Sequence, residues 1–119
     1  AHVTRRVRGE LLGLGYPIDE GTEQIVALEA GIETLTMRVR DAFEARGIFG
    51  SIFCAPATAK NRSLLRFTLN AGMADADIDR LVAVCAELRG EIELENWSAT
   101  RRMRRHQVRE EAAVYENVA

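Results

Sequence analysis

Lysine is almost absent from this chain. Lys60 is the only one in 119 residues, against fifteen arginines. Covalent amine chemistry is therefore confined to Lys60 or the N-terminus. Cysteine and histidine are nearly as scarce. Cys54 and Cys85 form no CxxC pair, and His2 and His106 lie at opposite ends. A structural zinc site needs about four clustered nitrogen or sulfur ligands, so no metal site is expected. The two thiols read as free, buried cysteines. No apolar run approaches the ~20 residues of a membrane span, and no segment resembles a signal peptide. A net charge of −2 offers no general attraction for nucleic acid or an anionic membrane. These absences predict a cytoplasmic protein with neither partner.

What is present suits a globular fold. Hydrophobic residues make up 47% and charged residues 29%. The length is that of one domain, enough to bury roughly two-thirds of the surface of the unfolded chain.

Residues 48–70 organise the rest. Two runs alternate like strands around a polar connection, residues 55–63, which begins with Ala55-Pro56 and carries Lys60. In the second run Leu65, Phe67 and Leu69 share one face. Leu64, Arg66, Thr68 and Asn70 share the other, because successive strand side chains alternate. A guanidinium in mid-strand requires that its face meet water, a partner or a ligand.

Upstream, Val3, Val7, Leu11 and Leu14 recur at helical spacing, and Gly13, Gly15 and Pro17 end the helix. That helix is periodic from its third residue with no cap before it, as in a piece of a longer chain. Residues 24–29, QIVALE, are apolar on both faces and predict an interior strand broken by Gly31. Ile32, Leu35, Val39, Ala42 and Phe43 form the next helical stripe, closed by Gly47. Downstream, Asp75, Asp77 and Asp79 crowd a helix start, where carboxylates suit the exposed N–H groups. Ile78, Leu81, Val82, Cys85 and Leu88 form its buried stripe. The order helix–strand–helix–strand–strand–helix predicts an α+β fold, a small mainly antiparallel sheet with helices packed on one face.

The predicted division is residues 1–90 as the domain and 91–119 as a helical extension. In the extension Glu91, Glu93 and Glu95 alternate with apolar residues up to Trp97, and Ser98 can cap a following helix. Arg101, Arg102, Arg104 and Arg105 precede Glu110 and Glu111. The acidic residues offset the arginines and no aromatics interleave for base stacking, so a solvated or subunit-contacting helix is the better reading than an RNA-binding one.

Leu14-Gly15-Tyr16, Ile25-Val26-Ala27-Leu28 with Gly31, Arg46-Gly47-Ile48, Pro56, Leu65-Arg66-Phe67-Thr68-Leu69 and Asp77-Ile78-Asp79-Arg80-Leu81 follow in a fixed order. In them the chain resembles the C-terminal small domain of the α-oxoamine synthases, pyridoxal-phosphate enzymes of fold type I. GIFGSIFCAPATAKN followed by LLRFTLN is similar to the branch that makes α-aminoketone autoinducers for quorum sensing. The resemblance implies a homodimeric parent transferase that condenses an acyl-CoA with an amino acid. It implies that the Schiff-base lysine and the cofactor site lie in a large domain outside these residues, so no catalytic residue and no bound cofactor are expected here. It places Arg66 where the family binds the amino-acid substrate's carboxylate. Ala57 stands where relatives often have threonine, and Met73-Ala74 where many have histidine and a capping hydroxyl. Two other readings stay open beside it. One is a regulatory ligand-binding module, since ferredoxin-like sensor domains share the element order. The other is an interaction module using the helix of Arg101 to Arg105.

Overall fold

The computed structural model describes residues 2–18 and 23–118. Helix α1, His2–Gly13, buries Val7 and Leu11 completely. Its buried Arg8 donates from Nε to the Glu23 carbonyl at 3.0 Å and also to the Ile25 carbonyl, tying the helix to the start of the first strand. Tyr16 follows the helix and is fully buried. Its hydroxyl donates to the Cys85 carbonyl at 2.7 Å, and its ring meets Trp97 edge-on with centroids 5.9 Å apart. Burial satisfied by one strong hydrogen bond is the rule for such a phenol.

Strands β1 (Ile25–Gly31), β2 (Ser51–Phe53) and β3 (Ser63–Thr68) form one antiparallel sheet in the order β1-β3-β2. Ala27 and Ser51 both oppose Arg66, and Leu28 and Ile52 both oppose Leu65. The alternation is as the sequence predicts: Leu65, Phe67 and Leu69 are buried with Val26 and Leu28, while Arg66, Thr68 and Asn70 are exposed. The expectation that β1 is interior is corrected. The central strand is β3, and β1 lies at an edge. Its second apolar set, Ile25 and Ala27, faces outward, with Ile25 44% exposed. An uncovered apolar face and a buried one look alike in sequence.

Helix α2, Glu33–Glu44, covers the buried face with Leu35, Val39 and Phe43. Its end is closed by Gly47 at φ 79°, with Gly47 N–H donating to the Glu44 carbonyl and Ile48 N–H to the Phe43 carbonyl, both at 3.0 Å. This pairing satisfies the last carbonyls and needs a left-handed residue. Helix α3, Asp75–Leu88, starts with Asp77 accepting from the Ala74 N–H at 3.2 Å. Val84 joins the buried stripe with Ile78, Leu81, Cys85 and Leu88, and Val82 is only half-buried. The architecture is α+β, as expected.

Beyond Gly90 the chain stays in the core. Ile92, Leu94 and Trp97 are buried, and Trp97 Nε1 donates to the Ile92 carbonyl at 2.8 Å. The alternating glutamates do not make a strand. Glu93 turns the backbone at φ 52° into a single 3-10 turn, Leu94–Asn96. Helix α4, Ser98–Val118, begins beside β1, and residues 104–116 are exposed throughout. No helix of the described residues is long and apolar enough to cross a membrane.

Candidate functional site

The outward face of the sheet carries Ile25 and Ala27 from β1, Leu64, Arg66 and Thr68 from β3, and Ser51 and Phe53 from β2. Two kinds of charge stand on it, and they are treated differently. At one end Glu29, on the same parity as Ala27, is 9% exposed. Its carboxylate accepts from both terminal nitrogens of Arg102, at 3.0 and 3.1 Å, from Arg62 Nε at 3.1 Å, and from the Ser98 hydroxyl. Burial pushes the Glu29 carboxyl up, but the hydrogen bonds from Arg102, Ser98 and Arg62 outweigh it and hold the group below the usual carboxylate range. Gly31 permits this approach. It sits at φ 114°, and a Cβ there would stand 2.9 Å from Ser98 Oγ and 3.2 Å from the Asn61 carbonyl. The cluster fastens the start of α4 and the β2–β3 connection to the edge of β1.

In mid-sheet Arg66 has no such partner. Among the described residues its side chain makes no hydrogen bond and no ion pair; its guanidinium lies over the Phe53 ring, whose centroid is 4.2 Å from the guanidinium carbon. An aromatic face holds a guanidinium without consuming its donors. The N–H fork of Arg66 therefore remains available, and its planar geometry suits a carboxylate or phosphate. The sequence predicted the place of Arg66 on the open face. It did not reveal Phe53, although the parity of Phe53 with Ser51 was a usable signal. The Glu29 cluster was missed as well; an acid inside an apolar strand was its only trace.

The remaining candidates fall away from this face. Lys60 lies exposed in the β2–β3 connection. Cys85 is buried, and burial pushes its thiol up to about 12, so it is a protonated core residue at neutral pH. Cys54 is half-buried rather than buried as expected. A groove of about 650 Å³ between the ends of α1, α3 and α4 is lined by Arg89, Glu93, Thr100 and Arg104, and does not include Arg66.

Comparison with known proteins finds relatives over part of their length. The chain is 45% identical over 91 residues to the CAI-1 autoinducer synthase of Vibrio campbellii, covering 76% of this chain and 23% of that protein. The chain is related to the α-oxoamine synthases. It is also 40% identical over 79 residues to a putative 8-amino-7-oxononanoate synthase of Paramagnetospirillum magneticum, 66% of this chain and 20% of that protein. Among solved structures it matches Sphingomonas wittichii serine palmitoyltransferase with a TM-score of 0.71 at 18% identity, covering 77% of this chain and 24% of that one. It matches the S. paucimobilis enzyme, solved with a bound PLP–myriocin aldimine, with a TM-score of 0.70 at 19% identity, covering 77% and 24%. These structures share the fold. No family model matches. The chain thus spans about a quarter or less of the α-oxoamine synthases it is similar to.

The cofactor named in the second of those structures, pyridoxal phosphate, does not fit the residues present here. A Schiff-base lysine must be desolvated or otherwise activated to present a neutral amine. The one lysine of this chain, Lys60, is exposed on a connecting loop.

Proposed function

We propose that this chain is the C-terminal small domain of a pyridoxal-phosphate-dependent synthase that condenses an acyl-CoA with an amino acid to an α-aminoketone of the autoinducer type. In this reading the chain supplies a substrate-binding arginine, and the rest of the enzyme supplies the lysine and the cofactor. One observation carries it. In a chain 45% identical to an autoinducer synthase, Arg66 stands in mid-strand on an uncovered sheet face, with no acid paired to it among the described residues. The fold itself does not use that guanidinium, and a substrate carboxylate matches it in charge and shape.

The proposal is tested in the full-length enzyme. Arg66→Ala should lower kcat/KM for the amino acid roughly ten- to a hundredfold, the loss of a charged hydrogen-bond pair. Arg66→Lys should recover only part of it, because an ammonium cannot make the two parallel bonds of a guanidinium. Normal amino-acid kinetics in Arg66→Ala would end the proposal.

A further inference from the structure

We propose that Phe53 is the positioning residue of the Arg66 site: its ring takes one face of the guanidinium and leaves the N–H edge free for the substrate carboxylate. The inference rests on the reading of Arg66 given above. It adds a second residue to that site, on a different strand.

The argument starts from what an exposed arginine otherwise does. Its side chain has four rotatable bonds and large rotamer entropy, so an unpaired Arg on an open face samples many positions. A site that orients a small substrate needs its first contact held to within about half an ångström. The chain holds its other sheet-associated guanidiniums with acids: Arg62 and Arg102 both end on Glu29. An acid beside Arg66 would hold it equally well and would compete with an incoming carboxylate for the same N–H groups. Phe53 avoids that conflict. It lies on β2, opposite Leu64 and diagonal to Arg66 on the same face, with the guanidinium carbon 4.2 Å from its ring centroid. The contact places the guanidinium carbon over the ring and asks for no hydrogen-bond acceptor. No carboxylate among the described residues occupies its donors, and the ring restricts where the guanidinium stands.

Phe53 itself is only half-buried, so the core does not account for it. The core face of β2 is served by Ile52, which opposes Leu65. An aromatic ring on the outward face, beside an arginine with no hydrogen bond or ion pair among the described residues, is explained by that arginine.

The test is steady-state kinetics of the full-length enzyme with each substrate varied in turn. Phe53→Leu keeps the bulk and removes the π face. It should raise KM for the amino acid roughly three- to tenfold, the range of a partly exposed cation–π contact, and change kcat less. KM for the acyl-CoA should stay within about twofold, since a merely structural defect would move both substrates. Phe53→Trp and Phe53→Tyr should stay near wild type. The decisive measurement is the double variant. In an Arg66→Ala background, Phe53→Leu should cost nothing further, because its role runs through Arg66. If Arg66→Ala is damaging and Phe53→Leu is not, the positioning role is overturned and the Arg66 reading stands. If Phe53→Leu costs the same with and without Arg66, Phe53 acts on its own and the inference fails. If Arg66→Ala has no effect on the amino acid, both fail together.

Discussion

The two faces of the three-stranded sheet are made from alternate residues of the same strands, yet they follow opposite rules. On the covered face Val26, Leu28, Leu65, Phe67 and Leu69 are all buried beneath the helices. The open face carries Ile25, 44% exposed, and an exposed Arg66 stacked near a phenyl ring. Charge on the open face is tolerated in two ways. Glu29, at the end of β1, is enclosed and saturated with donors. Arg66, in the middle, is left exposed, with no acid paired to it among the described residues. The covered face and Glu29 belong to folding. Arg66 and Phe53 are surplus to folding, which is what a binding group on a domain surface should be.

The largest effect should come from the covered face. Phe67 is 8% exposed, between Leu65 and Leu69. Phe67→Ala should destabilise this chain by about 3–5 kcal/mol, through lost burial and the cavity left behind. That is a large part of a small domain's stability. Chemical denaturation followed by circular dichroism measures it. A midpoint that hardly moves would mean the two faces are not divided as described.

The enclosed end of the open face should give an intermediate effect. Glu29→Gln removes the charge that Arg62 and Arg102 share and keeps the shape. Both arginines are about half exposed and can be rehydrated, so the loss should be about 1–3 kcal/mol rather than that of a fully buried pair. The wild-type contribution must also depend on pH. The folded carboxyl lies below its ordinary value of 4.5. The unfolded chain therefore takes up the proton first on acidification. The stabilisation is complete above the ordinary value and is lost as pH falls from about 4.5 through the folded pKa. Glu29→Gln should flatten that part of the stability profile. An unchanged acid limb would show that Glu29 contributes nothing to holding α4.

How much of this was legible in the sequence follows from the range of each interaction. Leu65, Phe67 and Leu69 against Arg66 is a period-two pattern within one strand, and periodicity alone places it. Gly47 ending α2 and Asp77 starting α3 are local for the same reason. The edge position of β1 was hidden, because Ile25 and Ala27 look the same whether a neighbouring layer covers them or not. The Glu29 cluster was hidden by distance. Its partner Arg102 lies 73 residues away, and only the docking of Trp97 and Ser98 brings them together. Phe53 was the intermediate case: its face was readable from β2 parity, but its pairing with Arg66 depends on the β2–β3 register.

The smallest effect, and the one that divides the faces most sharply, is Arg66→Ala on the stability of this chain. Its backbone pairs with β1 and β2 whatever the side chain. The side chain is exposed, takes part in no ion pair among the described residues, and lies over the Phe53 ring. Removing it should cost no more than about 0.5–1 kcal/mol, the value of an exposed cation–π contact with little else. Phe67→Ala is one residue away on the same strand and should cost several times as much. The two variants therefore share a strand and its register, and their side chains occupy opposite faces. Denaturation midpoints measured side by side make the comparison direct. If Arg66→Ala were as damaging as Phe67→Ala, the guanidinium would be part of the fold's own framework, and its claim as a ligand group would be lost. If it is nearly silent in stability and severe in amino-acid kinetics, the strand has divided its two faces between holding the domain together and holding its substrate.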